Sequence, residues 1–264
     1  MYIDFHTHGK LAKKLPFSTV YTDWLFAEAR KAGLDAVCLT EHFNTMQFSD
    51  LYGYIMKKYE RRGDCFLTPQ GLRIFAGMET DIAQGGHILT VGIPEEIMEL
   101  NRRLEPFKEK GKFLPFDELM DLFSKYRVLV GAAHPFRAGG HIPELPFESL
   151  KRLDFVDLNG KDVAENEDLA RKRTETFAEM LQIPMVGGSD THQAVQYGCI
   201  RTEFDRTEDT VEELGRMMKA GGYTVSVAES AAVQVKAAGV LKRALKEIHA
   251  SGGDYVAALT QTGD

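Results

Sequence analysis

The chain has no apolar run approaching the roughly 20 residues that cross a bilayer, so none of its 264 residues is expected to span a membrane. Its first residues carry no basic stretch followed by a long apolar one, which argues against export through a cleaved leader. Cysteine is scarce. Cys38, Cys65 and Cys199 are an odd number and too sparse for a disulfide framework. Cys38 and Cys199 lie in apolar segments and read as small buried hydrophobes, and a reducing cytoplasm is the expected location. Net positive charge is also missing: a formal charge of −7 argues against a general nucleic-acid-binding surface. With no aromatic-and-basic track for single strands, no stable long nucleic-acid partner is expected. No glycine-rich nucleotide loop occurs either. An anionic substrate is a separate matter, because bound metal and a few local cations set the potential inside a pocket.

What is present is enough apolar residue, 44%, for a substantial core, arranged as strands that alternate with helices. Strands are expected near 2–7, 34–40, 73–78, 87–91, 128–133, 155–158, 184–187, 197–201 and 223–227. Helices are expected after Thr22, near 50–61, 95–105, 116–126 and 166–181, and after Thr207. A long amphipathic helix near 229–250 carries Val235, Ala238, Leu241, Leu245 and Ile248 on one stripe and Lys236, Lys242, Arg243 and Lys246 facing outward. That helix reads either as a partner surface or as a packed terminal helix with a solvated basic face. The alternation predicts an α/β fold with a mainly parallel, covered sheet. No composition break divides residues 1–264, so one domain is expected.

Chemistry-bearing residues gather at predicted strand ends. His6 and His8 are spaced i and i+2, which puts both imidazoles on one face of a continuing strand. Glu41, His42, Glu79, His134 and Asp190 end later strands, His192 follows two residues beyond, and His87 opens a return strand next to the Gly85-Gly86 break. In a parallel barrel all strand C-termini open on one face, so sequence separation is no obstacle to their meeting. His141 and His249 lack this context. Imidazole and carboxylate together suit Zn, Mn or Fe.

His6-Thr7-His8, Thr40-Glu41-His42, Gly77-Met78-Glu79, His87, His134-Pro135 and Ser189-Asp190-Thr191-His192 resemble, in order and interval, the motifs of the polymerase and histidinol phosphatase (PHP) superfamily. The resemblance covers residues 1 to about 227. It implies a distorted seven-stranded β/α, TIM-like barrel holding two or three divalent ions, Zn, Mn or Fe. By the same resemblance His6, His8, Glu79 and Asp190 are ligands of one ion. Glu79 bridges to a second ion held by His87 and His134, and His42 and His192 are ligands of a third. Where trinuclear members carry a further histidine, this chain has Ala12-Lys13-Lys14-Leu15, and Glu41 stands where the family often has Asp. A third ion would then need Glu41 as a ligand. Otherwise the ammonium of Lys13 or Lys14 fills its volume and meets a substrate phosphate, or both lysines face solvent.

Two carboxylate-bridged ions, typically ~3.5–4 Å apart, supply a hydroxide for attack on phosphorus without a separate strong base. The expected activity is therefore metal-dependent hydrolysis of a small anionic substrate, a phosphomonoester or short nucleotide. Glu79 is the bridging ligand and Asp190 a ligand, since a buried carboxylate without a cation is costly. His192 is a metal ligand or the proton donor to the leaving alkoxide. Arg137 is a bidentate phosphate clamp or a surface ion-pair partner, and Lys161 carries the same two readings. Asp4 and Asn159 are candidates to support the ligands, Asp4 equally as a structural hydrogen bond. Hydrolysis at a carbon centre, or a non-catalytic metal-stabilised regulatory module, are the alternatives, since a ligand cluster alone does not fix the substrate.

Overall fold

The computed structural model describes residues 1–260. The chain opens with β1 (Tyr2–Thr7), α1 (Thr19–Lys31) and β2 (Ala36–Leu39). Helix α2 (Phe48–Lys58) and a small hairpin, β3 (Glu60–Arg62) and β4 (Cys65–Leu67), lead into the long β5 (Arg73–Asp81). Next come β6 (His87–Gly92), α3 (Pro94–Arg103), α4 (Phe116–Phe123), β7 (Val128–Ala133) and the short α5 (Phe147–Leu150). β8 (Phe155–Asn159), α6 (Gly160–Leu181) and β9 (Met185–Gly188) follow. The described chain ends with β10 (Ile200–Glu203), α7 (Val211–Ala220), β11 (Thr224–Val227), α8 (Ala231–Ala250) and α9 (Tyr255–Thr260).

The strands form a distorted, nearly closed mixed barrel with flanking helices. Its continuous path, β11-β10-β1-β2-β5-β6-β7-β8-β9, has nine strands rather than the seven expected. The extra strands come from residues 200–227. Here β10 adds antiparallel to β1 and β11 antiparallel to β10, so the edge of β1 is paired rather than left open. The sheet is also less parallel than expected. Strands β1, β2 and β5 are parallel, as are β7, β8 and β9, but β6 runs antiparallel between β5 and β7. Past the end of β9 the chain returns to β1. The Asp190 N–H donates to the His6 carbonyl at 2.7 Å and the His8 N–H to the Thr191 carbonyl at 3.0 Å.

Alternation along the strands sorts the core into two layers. Ala36, Cys38, Phe75 and Leu89 point inward with Ile3, Phe5 and Phe155, where Leu214 and Met217 of α7 join them. Val37, Leu39, Ile74 and Ile88 point outward beneath Leu25, Phe26, Leu51, Ile97 and Leu100 of the helices. Gly215 of α7 lies against Leu129 at the start of β7, so α7 seals the end of the barrel away from the polar strand ends.

Several boundaries differ from the sequence reading for local reasons. Ser18 caps α1, accepting from the Tyr21 N–H, while Thr22 is buried and donates to the Gly9 carbonyl at 2.8 Å. Thr210, not Thr207, caps α7. Helix α6 starts at Gly160, directly after β8, and bends at Asn166, whose φ of −161° and ψ of 96° are not helical. Gly85 and Gly86 have φ of 89° and 117° and let the β5–β6 turn press against residues 139–142. Helix α8 matches the expected C-terminal helix. Lys236, Arg243 and Lys246 are exposed, but Lys242 is half-buried.

Gly131 pairs with Phe155 across β7 and β8, and a Cβ at this position would run into the Phe155 ring. Gly131→Ala should therefore cost about 1–3 kcal/mol through overpacking. A lower urea midpoint at unchanged slope in equilibrium unfolding is the expected readout.

Candidate metal centre

The open end of the barrel gathers polar side chains around one carboxylate. Glu79, near the end of β5, is 1% exposed. Five imidazoles surround it: His42 Nδ1 at 2.6 Å, His87 Nδ1 at 2.6 Å, His134 Nε2 at 3.2 Å, and His6 and His8 Nε2 at 3.6 Å each. β1 delivers His6 and His8, the segment after β2 delivers His42, and β6 opens with His87. His134 follows β7, and Asp190 and His192 follow β9. His134 and Asp190 have left-handed backbones, with φ of 31° and 55°. Such conformations are costly for residues other than glycine and persist where the surroundings over-determine them.

Four overlapping sets of these side chains could each hold a metal ion: His6–His8–Glu79, His6–His134–Asp190, Glu79–His87–His134 and His8–His42–His192. Within each set the candidate ligand atoms lie within 4.8 Å of one another. His6 Nε2 is buried and lacks a hydrogen-bond partner, which is the condition of a lone pair shaped for a cation. The opposite ring nitrogens are taken. His6 Nδ1 lies 2.9 Å from Asp157, His87 Nε2 3.0 Å from Asp81, and His192 Nδ1 2.8 Å from the Lys10 carbonyl. Partners of this kind fix the tautomer and aim of metal-binding histidines. The donor set fits more than one divalent ion.

Not every residue singled out from sequence is a candidate ligand. Glu41 belongs to none of the four sets. Its carboxylate accepts from the Gly9 and His42 N–H groups and lies 3.7 Å from His8 Nδ1, so it steers His8. His8 in turn joins His42 and His192 in one of the four sets. Lys14 is exposed, and Lys13 lies 3.4 Å from Asp81. The buried lysine of this loop is Lys10, whose ammonium donates to Thr45 Oγ1 and the Met46 carbonyl. Asp4 accepts from the His6 and Ser189 N–H groups and ties β1 to the end of β9. A register shift between Asp4 and Thr7 breaks the strict alternation expected of that strand.

Arg137 and Lys161 converge on Asp190. Arg137 donates to Asp190 Oδ2 at 2.7 Å, to Asn159 Oδ1 at 2.7 Å and to Asp162 at 3.1 Å. Lys161 Nζ lies 2.8 Å from the same Asp190 oxygen. The other oxygen, Oδ1, faces His8 Nε2 at 3.3 Å. Asp190 therefore holds the cationic rim with one oxygen and presents the other to the ligand cluster.

The electrostatics follow from burial set against this convergence. Burial pushes the Glu79 carboxyl up, but the imidazoles of His42, His87 and His6 outweigh it and hold the group well below the usual carboxylate range. Asp190 is likewise held low, with Lys161 and His6 outweighing burial. Burial pushes His42 down to about 4 and His192 well below its ordinary value. Burial would also lower His87, yet Glu79 and Asp81 raise it to about 10. Lys242, within electrostatic reach of His192 and Asp190, is lowered to about 8 by burial and by Lys161.

Sequence reasoning missed Asp157 and Asp81 and placed Lys242 in solvent. A signal for Asp157 existed: a lone carboxylate inside the apolar run Phe155-Val156-Asp157-Leu158 demands a buried partner.

The PHP-associated family description matches residues 168–222, a segment that includes Asp190 and His192. No match to a curated protein was found. The structure is similar to that of PsfC from Pseudomonas syringae PB-5123, with a TM-score of 0.76 at 21% identity, over 92% of this chain and 98% of that one. It is also similar to the lesion-specific endonuclease PfuEndoQ from Pyrococcus furiosus, with a TM-score of 0.62 at 19% identity, over 85% of this chain. The third similarity is to an Endonuclease Q complex with a 27-mer duplex carrying an abasic lesion at the active site. There the TM-score is 0.64 at 19% identity, over 84% of this chain. The chain spans 57% of the length of either endonuclease. At these identities the likenesses concern the fold. The four ligand sets and the PHP-associated match over residues 168–222 support assignment as a PHP-like metal-dependent phosphoesterase.

Two measurements probe the centre directly. Asp157→Ala frees His6 Nδ1 and should weaken metal affinity ten- to a hundred-fold, read by competition with a chelator. His87 is protonated below pH ~10 in the metal-free protein, so metal uptake near neutral pH should release a proton and tighten as pH rises. Calorimetry in two buffers of different ionisation enthalpy gives the proton count, and a count of zero refutes the assignment.

Proposed function

We propose that this chain hydrolyses phosphodiesters of nucleic acid at the centre built around Glu79. The observation that carries the reading is the convergence of a multi-metal ligand cluster with a cationic rim, Arg137 and Lys161, on the single carboxylate of Asp190. Divalent ions held by the four ligand sets would polarise water toward hydroxide and neutralise charge at a phosphoryl group. The chain's own residues do the rest. Arg137 and Lys161 draw the phosphate to the rim, and His192, kept neutral by burial, is available as a ligand.

The expectation of no stable long nucleic-acid partner is overturned by the two Endonuclease Q similarities, one of them a complex with a 27-mer duplex. Net charge misled because it is a sum over the whole surface. The total gives no hint that Arg137 and Lys161 come together beside the centre on Asp190. His6, His8, Glu79 and Asp190 are all at most 4% exposed. A recessed centre favours a phosphate extruded from a duplex or carried on a single-stranded end. The three cysteines are free and buried, which fits a reducing cytoplasm. Packing of α8 on α6 and on residues 194–196 supports reading the chain as one barrel domain.

The test is turnover by protein stripped of metal and reloaded separately with Mn, Zn or Fe(II). Substrates are single strands, plain duplex, duplex with an abasic site, and phosphomonoesters. Metal-dependent cleavage of an oligonucleotide, abolished by Glu79→Ala, is the expected result. Release of phosphate from monoesters alone, with every oligonucleotide intact, would reject the nucleic-acid reading.

A further inference from the structure

Beside the metal centre lies a second concavity that no step above uses. It is a cleft of about 490 Å³ between the turn after His134 and helix α6, within the size range of ligand pockets. It shares Arg137 and Lys161 with the centre, and both hold Asp190 Oδ2. A group bound in the cleft is therefore joined to the metal cluster through the same two cations that face a phosphate. Its apolar lining includes Phe136, 36% exposed, and Leu169, 43% exposed. Exposing an aromatic ring and a leucine together leaves apolar surface uncovered. Phe136 is braced edge-to-face on Phe177, with centroids 5.8 Å apart and planes at 80°, so the ring is held rather than free to collapse.

The cleft runs along the bend of α6. The non-helical backbone at Asn166 restarts the helix, with the Asn166 side chain capping the Leu169 N–H at 3.0 Å. Before the bend the lining includes Asp162, paired with Arg137, and Glu165, an exposed acceptor; beyond it lies Arg173, which has no ion-pair partner among the described residues. The cleft thus combines a shared phosphate-facing pair, a braced aromatic ring with an aliphatic neighbour, a carboxylate acceptor and a further cation. A nucleoside within a chain presents the matching groups: a phosphate, a flat base with N–H donors, and a next phosphate.

We propose that this cleft is the subsite for the nucleoside attached to the scissile phosphate, with Phe136 as the face on which its base stacks. The proposal rests on the phosphodiesterase reading above and names the part of the substrate that the cleft holds. Stacking on aromatic side chains tolerates any base, because every base has a π-face. The expected preference is therefore for a base of any identity over no base.

The test uses metal-loaded full-length protein and calorimetric titration with a dinucleotide whose bridging ester oxygen is replaced by CH2. The same analogue without bases is the comparison. Phe136→Ala should weaken binding of the base-bearing analogue about five-fold or more and leave the base-free analogue unchanged, and Phe136→Trp should restore it. Metal content and thermal midpoint of each variant guard against misfolding. No binding by the wild type, equal weakening of both analogues, or no recovery with Trp overturns the proposal. Turnover of the cleavable dinucleotide is scored separately. Phe136-dependent binding without turnover sinks the phosphodiesterase reading and leaves the cleft assignment standing, while turnover indifferent to Phe136 together with unchanged binding does the reverse.

Discussion

Everything at the open end of this barrel answers to one buried carboxylate. Glu79 lies within 3.6 Å of five imidazoles contributed by four separate segments of the chain. Burying a charge is expensive unless it is compensated, and here compensation is shared among groups that also repel one another when protonated. His42 is driven down to about 4 while His87 rises to about 10 beside the same carboxylate. Burial dominates at His42, and the outer partners widen the gap. His87 has Asp81 on its far nitrogen, whereas His42 stacks on His8 with centroids 4.3 Å apart. The cluster is thus electrically uneven before any ion enters.

The fold exists to hold that cluster from outside. Asp157 on β8, Asp81 at the end of β5, Glu41 after β2 and the Lys10 carbonyl each take the far side of a histidine. Small residues make the approach possible. A side chain at Gly188 would collide with both Asp157 and the His6 Cβ, so the contact between β8 and β1 depends on β9 ending in glycine. Because the supports come from different strands, barrel curvature and ligand geometry are one problem.

The residues that gather around Glu79 were legible in the sequence because their chemistry sits where strands stop, and strand ends are what hydrophobic patterning marks best. Residues at the ends of β2, β5, β7 and β9 carried the signal in order. The supports were harder to read. Asp81 sits in a turn region rich in polar residues, and nothing local separates it from a solvated aspartate. Lys10, Lys13 and Lys14 are indistinguishable by composition, and the fold alone buries the first, pairs the second and exposes the third. Strands near β10 and β11 were legible in the sequence; the count of seven came with the family resemblance, and the barrel exceeds it because β10 adds to β1 and β11 to β10. Lys242 looked solvated because helical spacing gives a face but not which neighbour covers it. The nucleic-acid expectation failed for a related reason: a sum of charges has no position.

The return of the chain from β9 to β1 carries a mechanical consequence. The barrel closes there through two backbone hydrogen bonds, and the residues on either side of the join include His6, His8 and Asp190. Any ion shared by His6 and Asp190 would therefore act as a clasp across the seam. Staves and hoop would then be the same atoms: an ion held there would also fasten the wall, and its loss and local unzipping would be coupled equilibria.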